Sequence, residues 1–115
     1  MQFLQDNFLP IAILAFFAWR FFSTQRAKAQ LPTLLGQGAQ IVDVRSTGEF
    51  SSGAAPNSKN IPLHELPQRL QELDKKRPVI LCCASGMRAS SAVGILKAQG
   101  FTSVVNVGSW QNAVA

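Results

Sequence analysis

The sequence predicts an α/β fold: a small domain with a central, mostly parallel sheet flanked by helices, preceded by one N-terminal transmembrane helix. Three observations lead there. Residues 39–44, 78–82 and 102–107 are short runs of β-branched and apolar side chains, the pattern of buried strands. Segments with helical spacing lie between them, and strands alternating with helices build parallel sheets covered on both faces. Ahead of these, residues 8–19 are apolar without a break, and Phe21 and Phe22 carry the run past Arg20.

That first run covers about fifteen residues, against the roughly 20 that a full span needs. Trp19 suits an interfacial position, and Arg20 can snorkel. Pro10 falls in the first turn, where a missing N–H is tolerated. A cleaved signal peptide fits less well, although Ala27, Lys28 and Ala29 have the form of a cleavage site. Asp6 precedes the run, with no Lys or Arg before it. A helix lying on the membrane is a further alternative. Arg20, Arg26 and Lys28 follow the run, so the positive-inside rule sets the C-terminal domain in the cytoplasm. The expected division is residues 1–30 as membrane anchor and polar linker, and residues 31–115 as the folded domain.

Within that domain, residues 31–37 have apolar spacing ending at Gly36 and Gly38, a short helix with a glycine stop. Residues 39–44 form the first strand. Residues 46–53 are polar and hold one helical turn, and residues 60–62 are a brief extended piece. Leu63, Leu66, Leu70 and Leu73 recur at spacings of three and four, which predicts an amphipathic helix over 63–73. Residues 78–82 are the second strand, 89–99 a helix closed by Gly100, and 102–107 the third strand.

Composition narrows the function. A length of 115 residues suits one globular domain, and 47% hydrophobic residues is too many for a disordered chain. Of the eleven basic residues behind the net charge of +5, three stand beside the apolar run. The excess therefore reads as membrane topology and not as nucleic-acid binding. Lys75, Lys76 and Arg77 read as a solvated helix end. Cys82 and Cys83 are adjacent, and the ring that a disulfide between them would close is strained. Free thiols in a reducing compartment fit better. With one His and no Cys-x-x-Cys, no metal site is expected, and no cofactor.

The chemistry concentrates where the second strand ends. Cys83, Ala84, Ser85, Gly86, Met87 and Arg88 follow that strand directly and lead into a helix. Parallel sheets build their sites at the carboxyl ends of strands. Small residues and a glycine let such a loop curl until its N–H groups point inward, an anion-binding nest at a helix N-terminus. A thiolate of Cys83 at its centre is stabilised by those dipoles. Arg88 closes the loop, adding positive charge or bracing its shape. Cys82, still in strand register, reads as a small buried hydrophobe.

Several stretches together resemble the rhodanese homology domain. Residues 41–45 (Ile-Val-Asp-Val-Arg), with Glu49 and Phe50, resemble that family's first signature, and residues 53–62 its second. Cys83 to Arg88 matches its active-site pattern Cys-x-x-Gly-x-Arg, and Ser90 and Ser91 fall where Ser is common. Gly100 and Phe101, with residues 105–110, resemble its closing strand and turn. Two positions depart: Ala54 stands where the family commonly has His, and Asn57 where it usually has Gly. Asn tolerates the same positive φ. The final helix is shortened to residues 111–115.

The resemblance implies a sulfurtransferase. Cys83 would be the nucleophile, taking a sulfane sulfur from thiosulfate or a protein-borne persulfide and passing it to a thiol or cyanide acceptor. The amides of Ala84, Ser85, Gly86, Met87 and Arg88 would hold the persulfide. Asp43 would be a structural hydrogen-bond acceptor near the loop. Arg45 would be a substrate contact or else part of an internal salt bridge, for example with Glu49. A non-catalytic, membrane-tethered binding module is one alternative. A phosphatase or arsenate reductase on the same fold is another, but such relatives use a longer loop than the four residues separating Cys83 from Arg88 here. The partners expected are a sulfur donor, a sulfur acceptor and the lipid bilayer. His64 is expected to be a surface or capping residue.

Overall fold

The computed structural model describes residues 2–114 of the chain, and side chains from residue 9 onward. Four strands make one sheet in the order β2-β1-β3-β4, every neighbouring pair parallel. They are β1 (Gln40–Asp43), β2 (Lys59–Asn60), β3 (Val79–Cys83) and β4 (Val104–Ser109). Helix α1 (Gln2–Gly36) precedes them, α2 (Thr47–Ser51) follows β1, and α3 (Met87–Ala98) follows β3. Each predicted strand forms, shifted by a residue or two at its ends.

β3 sits in the middle and is buried along its whole length. Its side chains alternate between two cores, as the period of two requires. Val79, Leu81 and Cys83 pack with Val42, Leu66, Ala89, Ala92 and Leu96. Ile80 and Cys82 pack on the opposite side with Ala27, Leu31, Ile41 and Val107. The two adjacent cysteines therefore belong to different layers of the molecule.

The N-terminal region differs from the expectation. No helix among the described residues is long and apolar enough to cross a membrane. The helix itself is long, at 35 residues, but its apolar stretch is interrupted by Arg20 and followed by Ser23, Thr24, Gln25 and Arg26. The expected polar linker is also absent. Residues 23–30 remain helical, and Ala27, Leu31, Leu34 and Leu35 recur at helical spacing and cover the sheet. Burying a side chain such as Leu31 contributes about 1.5–3 kcal/mol, so this half of α1 is part of the domain core. Helix α1 stops where foreseen. Gly38 has φ 84°, and the Gly38 and Ala39 N–H groups donate to the Leu35 and Leu34 carbonyls. In contrast, Leu9, Leu14, Phe17, Trp19 and Phe22 are all exposed.

Residues 63–73 are a second difference. The leucines pack inward, but the backbone forms two 3₁₀ turns, Leu63–Gln68 and Leu70–Glu72. Pro67 lies inside the first. It has no N–H for an α-helical bond to Leu63 and disfavours helical geometry at Leu66. The chain ends in a further 3₁₀ turn, Trp110–Ala113, in place of the short helix expected; Ala115 lies outside the described residues.

Candidate active site

Cys83 is the last residue of β3, and its side chain is 1% exposed. The loop beyond it turns back at Gly86, whose φ of 98° suits only a residue without a side chain. Space demands glycine there too: a Cβ would lie 3.2 Å from the Gly108 Cα. This turn aims the Gly86 N–H at Cys83 Sγ, 2.9 Å away. Helix α3 begins at the next residue, with the Ser90 N–H donating to the Gly86 carbonyl. The sulfur thus faces an oriented N–H at the start of a twelve-residue helix, an arrangement that favours negative charge on it. Ala84, Ser85 and Met87 are exposed, so the rim of the loop is open to solvent.

Arg88 braces the loop. Its two terminal nitrogens donate to Glu49 at 2.7 and 3.0 Å, a bidentate pair. Glu49 is also the end of a capping box: its N–H donates to Ser46 Oγ, and its carboxylate accepts from the Ser46 N–H. One carboxylate therefore ties the start of α2, after β1, to the Cys83 loop, after β3. The hydrogen bond from Arg88, then that from the Ser46 backbone, holds the Glu49 carboxyl down to about 2.

Asp43 and Arg45 lie beneath this layer. Asp43 is fully buried and Arg45 nearly so. Arg45 Nε donates to both Asp43 oxygens, a terminal nitrogen donates to Asp43 Oδ2 at 2.7 Å, and that nitrogen reaches the Gly53 carbonyl at 2.6 Å. The Trp110 ring covers the guanidinium at 5.0 Å. Asp43 accepts from Arg45 through both of its carboxylate oxygens. Arg45 forms an internal pair, but with Asp43 and not with Glu49. Cys82 faces the Val42 carbonyl at 3.8 Å, away from the loop. Burial, then the charge of Asp43, pushes its thiol up to about 12, so it stays protonated.

Three contributions to the loop were not foreseen. One is the pairing of Glu49 with Arg88, where the sequence had suggested Arg45 as its partner; the Ser-x-x-Glu capping pattern marks Glu49 only as held at the start of α2. Asn106 is the second: its amide donates to the Gly86 carbonyl at 2.9 Å and accepts from the Gly108 N–H at 2.8 Å. The third is Arg20 of α1, which donates to the Ser85 carbonyl at 3.2 Å and lies against Met87 Sδ. A shallow pocket of about 290 Å³ opens beside Arg88, lined by Val44, Ser46, Pro62, Leu63 and His64. His64 is exposed on its rim, as expected of a surface residue. A larger cavity of about 530 Å³ adjoins Gln40, Lys59 and Arg77, toward the amino end of β1 and away from Cys83. Among the described residues, no group of His, Cys, Asp and Glu could hold a metal ion.

Comparison with known proteins adds to this geometry. The family described as Rhodanese-like domain matches residues 27–114. A thiosulfate sulfurtransferase of Pseudomonas syringae pv. syringae is 35% identical over 78 residues, 68% of this chain and 74% of that protein. A sulfurtransferase of Allochromatium vinosum is 36% identical over 67 residues, 58% of this chain and 63% of that protein, just under two thirds of its length. Among solved structures, a rhodanese with anions from E. coli superposes with TM-score 0.62 at 29% identity, over 67% of this chain and 94% of that one. A human single-domain sulfurtransferase gives 0.61 at 28%, over 73% and 88%.

Proposed function

The chain belongs to the rhodanese-like family, and from that premise we propose that it transfers a sulfane sulfur through a persulfide on Cys83. One observation carries the reading: the Gly86 N–H donates to Cys83 Sγ at the mouth of α3. With thiosulfate as donor, the Cys83 thiolate attacks the outer sulfur. The Cys83–sulfur bond forms, the sulfur–sulfur bond of thiosulfate breaks, and sulfite leaves with the electron pair. The persulfide carries its negative charge on the terminal sulfur, within reach of the loop amides of Ala84, Ser85, Gly86, Met87 and Arg88. A thiol or cyanide then takes that sulfur, and the Cys83 thiolate returns as leaving group. Arg88, paired with Glu49, holds the loop more than it adds free charge. A protein-borne persulfide enters the same scheme as donor.

Replacing Cys83 by Ser removes the nucleophile, and replacing Cys82 by Ser does not. Sulfur transfer from thiosulfate to cyanide is expected to vanish in the first variant and to persist in the second. Equal loss in both would contradict the assignment.

The exposed apolar half of α1 belongs to the same proposal. A helix that is apolar on all sides is stable only within apolar surroundings. Leu9, Ile11, Ile13, Leu14, Phe16, Phe17, Trp19, Phe21 and Phe22 all face solvent in the isolated chain. No helix among the described residues is long and apolar enough to span a bilayer, so this half of α1 inserts only partway into one leaflet, with Arg26 and Lys28 at anionic headgroups and the domain in the cytoplasm. Flotation with vesicles containing phosphatidylserine is expected for the wild type and is lost in Leu14→Glu/Phe17→Glu. A wild type that stays with the free protein would contradict this placement.

A further inference from the structure

The peptide unit between Ser85 and Gly86 has two ends, and both are occupied. Its N–H, on Gly86, points inward to Cys83 Sγ at 2.9 Å. Its C=O, on Ser85, accepts from an Arg20 terminal nitrogen at 3.2 Å. There is no cis peptide bond in the described chain, and in a planar trans peptide the C=O and N–H point in opposite directions. A cation on the oxygen therefore holds the plane in the orientation that aims the N–H at sulfur. It also draws electron density toward the oxygen and strengthens the N–H as a donor.

We propose that Arg20 is a positioning residue for Cys83: from α1 it fixes and polarises the Ser85–Gly86 peptide whose N–H stabilises the anionic sulfur. This rests on the reading of Cys83 as the nucleophile. The supply of charge around the loop points the same way. Arg88 is paired with Glu49, and Arg45 with Asp43. Arg20 meets no carboxylate among the described residues, so no paired counter-charge offsets it at the loop. Its position is built by the fold. The next helical turns of α1, through Ala27 and Leu31, are packed into the core, and the Thr24 methyl lies 3.3 Å from where a Cβ on Gly108 would be. Arg20 is consequently carried on a rigid helix, with its side chain half-buried across Gly86. Asn106 acts likewise on the adjoining peptide, donating to the Gly86 carbonyl.

The test measures the alkylation rate of Cys83 by iodoacetamide across pH in the full chain, with the site located by peptide mass mapping. It needs no sulfur donor, so it reports on the loop whether or not sulfur transfer is the function. Arg20→Ala is expected to slow alkylation at pH 7 by about three- to tenfold and to displace the profile to higher pH. Arg20→Lys should recover a fraction of the rate, because it keeps the charge and loses the fork. Lys97→Ala, an equal change of net charge at the far end of α3, should leave the profile in place. If Arg20→Ala fails to fold, Arg20→Gln keeps an N–H donor without the charge and should fall between Arg20→Ala and wild type. A folded Arg20→Ala or Arg20→Gln whose profile superimposes on wild type would overturn the proposal, as would an equal displacement in Lys97→Ala. A displaced profile in a protein that takes no sulfur from any donor would leave Arg20 in its role and remove the sulfurtransferase reading instead.

Discussion

Replacing Asp43 by Ala tests how the domain holds its site. Asp43 accepts from Arg45 Nε at 3.0 and 2.9 Å, from a terminal nitrogen at 2.7 Å, and from the Arg45 backbone N–H at 3.0 Å. It is fully buried, and Arg45 is 5% exposed. Truncation leaves the guanidinium buried with the Gly53 carbonyl and the Trp110 ring as its described partners. An uncompensated buried charge costs about 3–5 kcal/mol. A folded unit of about 80 residues holds roughly 4–12 kcal/mol in total, so the loss is a large fraction of it. At about 4–8 °C per kcal/mol, the melting midpoint should fall by about 12 °C or more. Urea denaturation followed by circular dichroism measures the same loss. The double variant Asp43→Leu/Arg45→Met removes both charges and should lie within about 2 kcal/mol of wild type. A loss below about 1 kcal/mol in Asp43→Ala, or a double variant as unstable as the single one, would refute the reasoning.

Other predictions follow from the same contacts. Glu49 and Glu72 are both held down to about 2, Glu49 chiefly by Arg88 and Glu72 chiefly by Arg69. Their folded values lie below the ordinary 4.5, so their contribution to stability is fully present above 4.5 and lost as pH falls toward 2. The urea midpoint should therefore be insensitive to these groups between pH 7 and 5 and fall below that range, less steeply in Glu49→Gln. That variant also frees Arg88 and should lower the rate of sulfur transfer by about tenfold while the protein remains folded. Asn57 has φ 63°, so Asn57→Gly should change stability by less than about 0.5 kcal/mol, whereas Asn57→Val should lose about 1–2 kcal/mol in urea denaturation. Iodoacetamide at pH 7 should label Cys83, beside the exposed rim of its loop, well before Cys82, whose protonated thiol faces the Val42 carbonyl, as peptide mapping would read.

Much of the sheet was legible because buried strands advertise themselves. The runs around Val42, Ile80 and Val105 have no polar alternative, and each became a strand. The Cys83 loop was legible for a different reason: a strand, a glycine at a fixed offset and a helix leave few ways to turn. Two elements were misread, one by trusting apolar spacing alone and the other by overlooking it. The leucines of residues 63–73 do reach the core, but Pro67 denies the backbone an α-helix. Residues 23–30 look like a polar linker because polar side chains outnumber Ala27, yet that alanine with Leu31 forms a stripe that covers the sheet. The partners of Arg45 and Arg88 were beyond the sequence for a further reason. Choosing between Asp43 and Glu49 requires knowing which carboxylate lies under the sheet end and which above it. Arg20 was hidden for the same reason, since 65 residues separate it from Ser85.

The most direct test of the account is the intact mass of the reduced protein before and after thiosulfate, with Cys83→Ser in parallel. The account predicts a gain of one sulfur atom, removed by cyanide and absent from the variant. A Cys83 that alkylates readily yet gains no sulfur from thiosulfate or from a low-molecular-weight persulfide would contradict it.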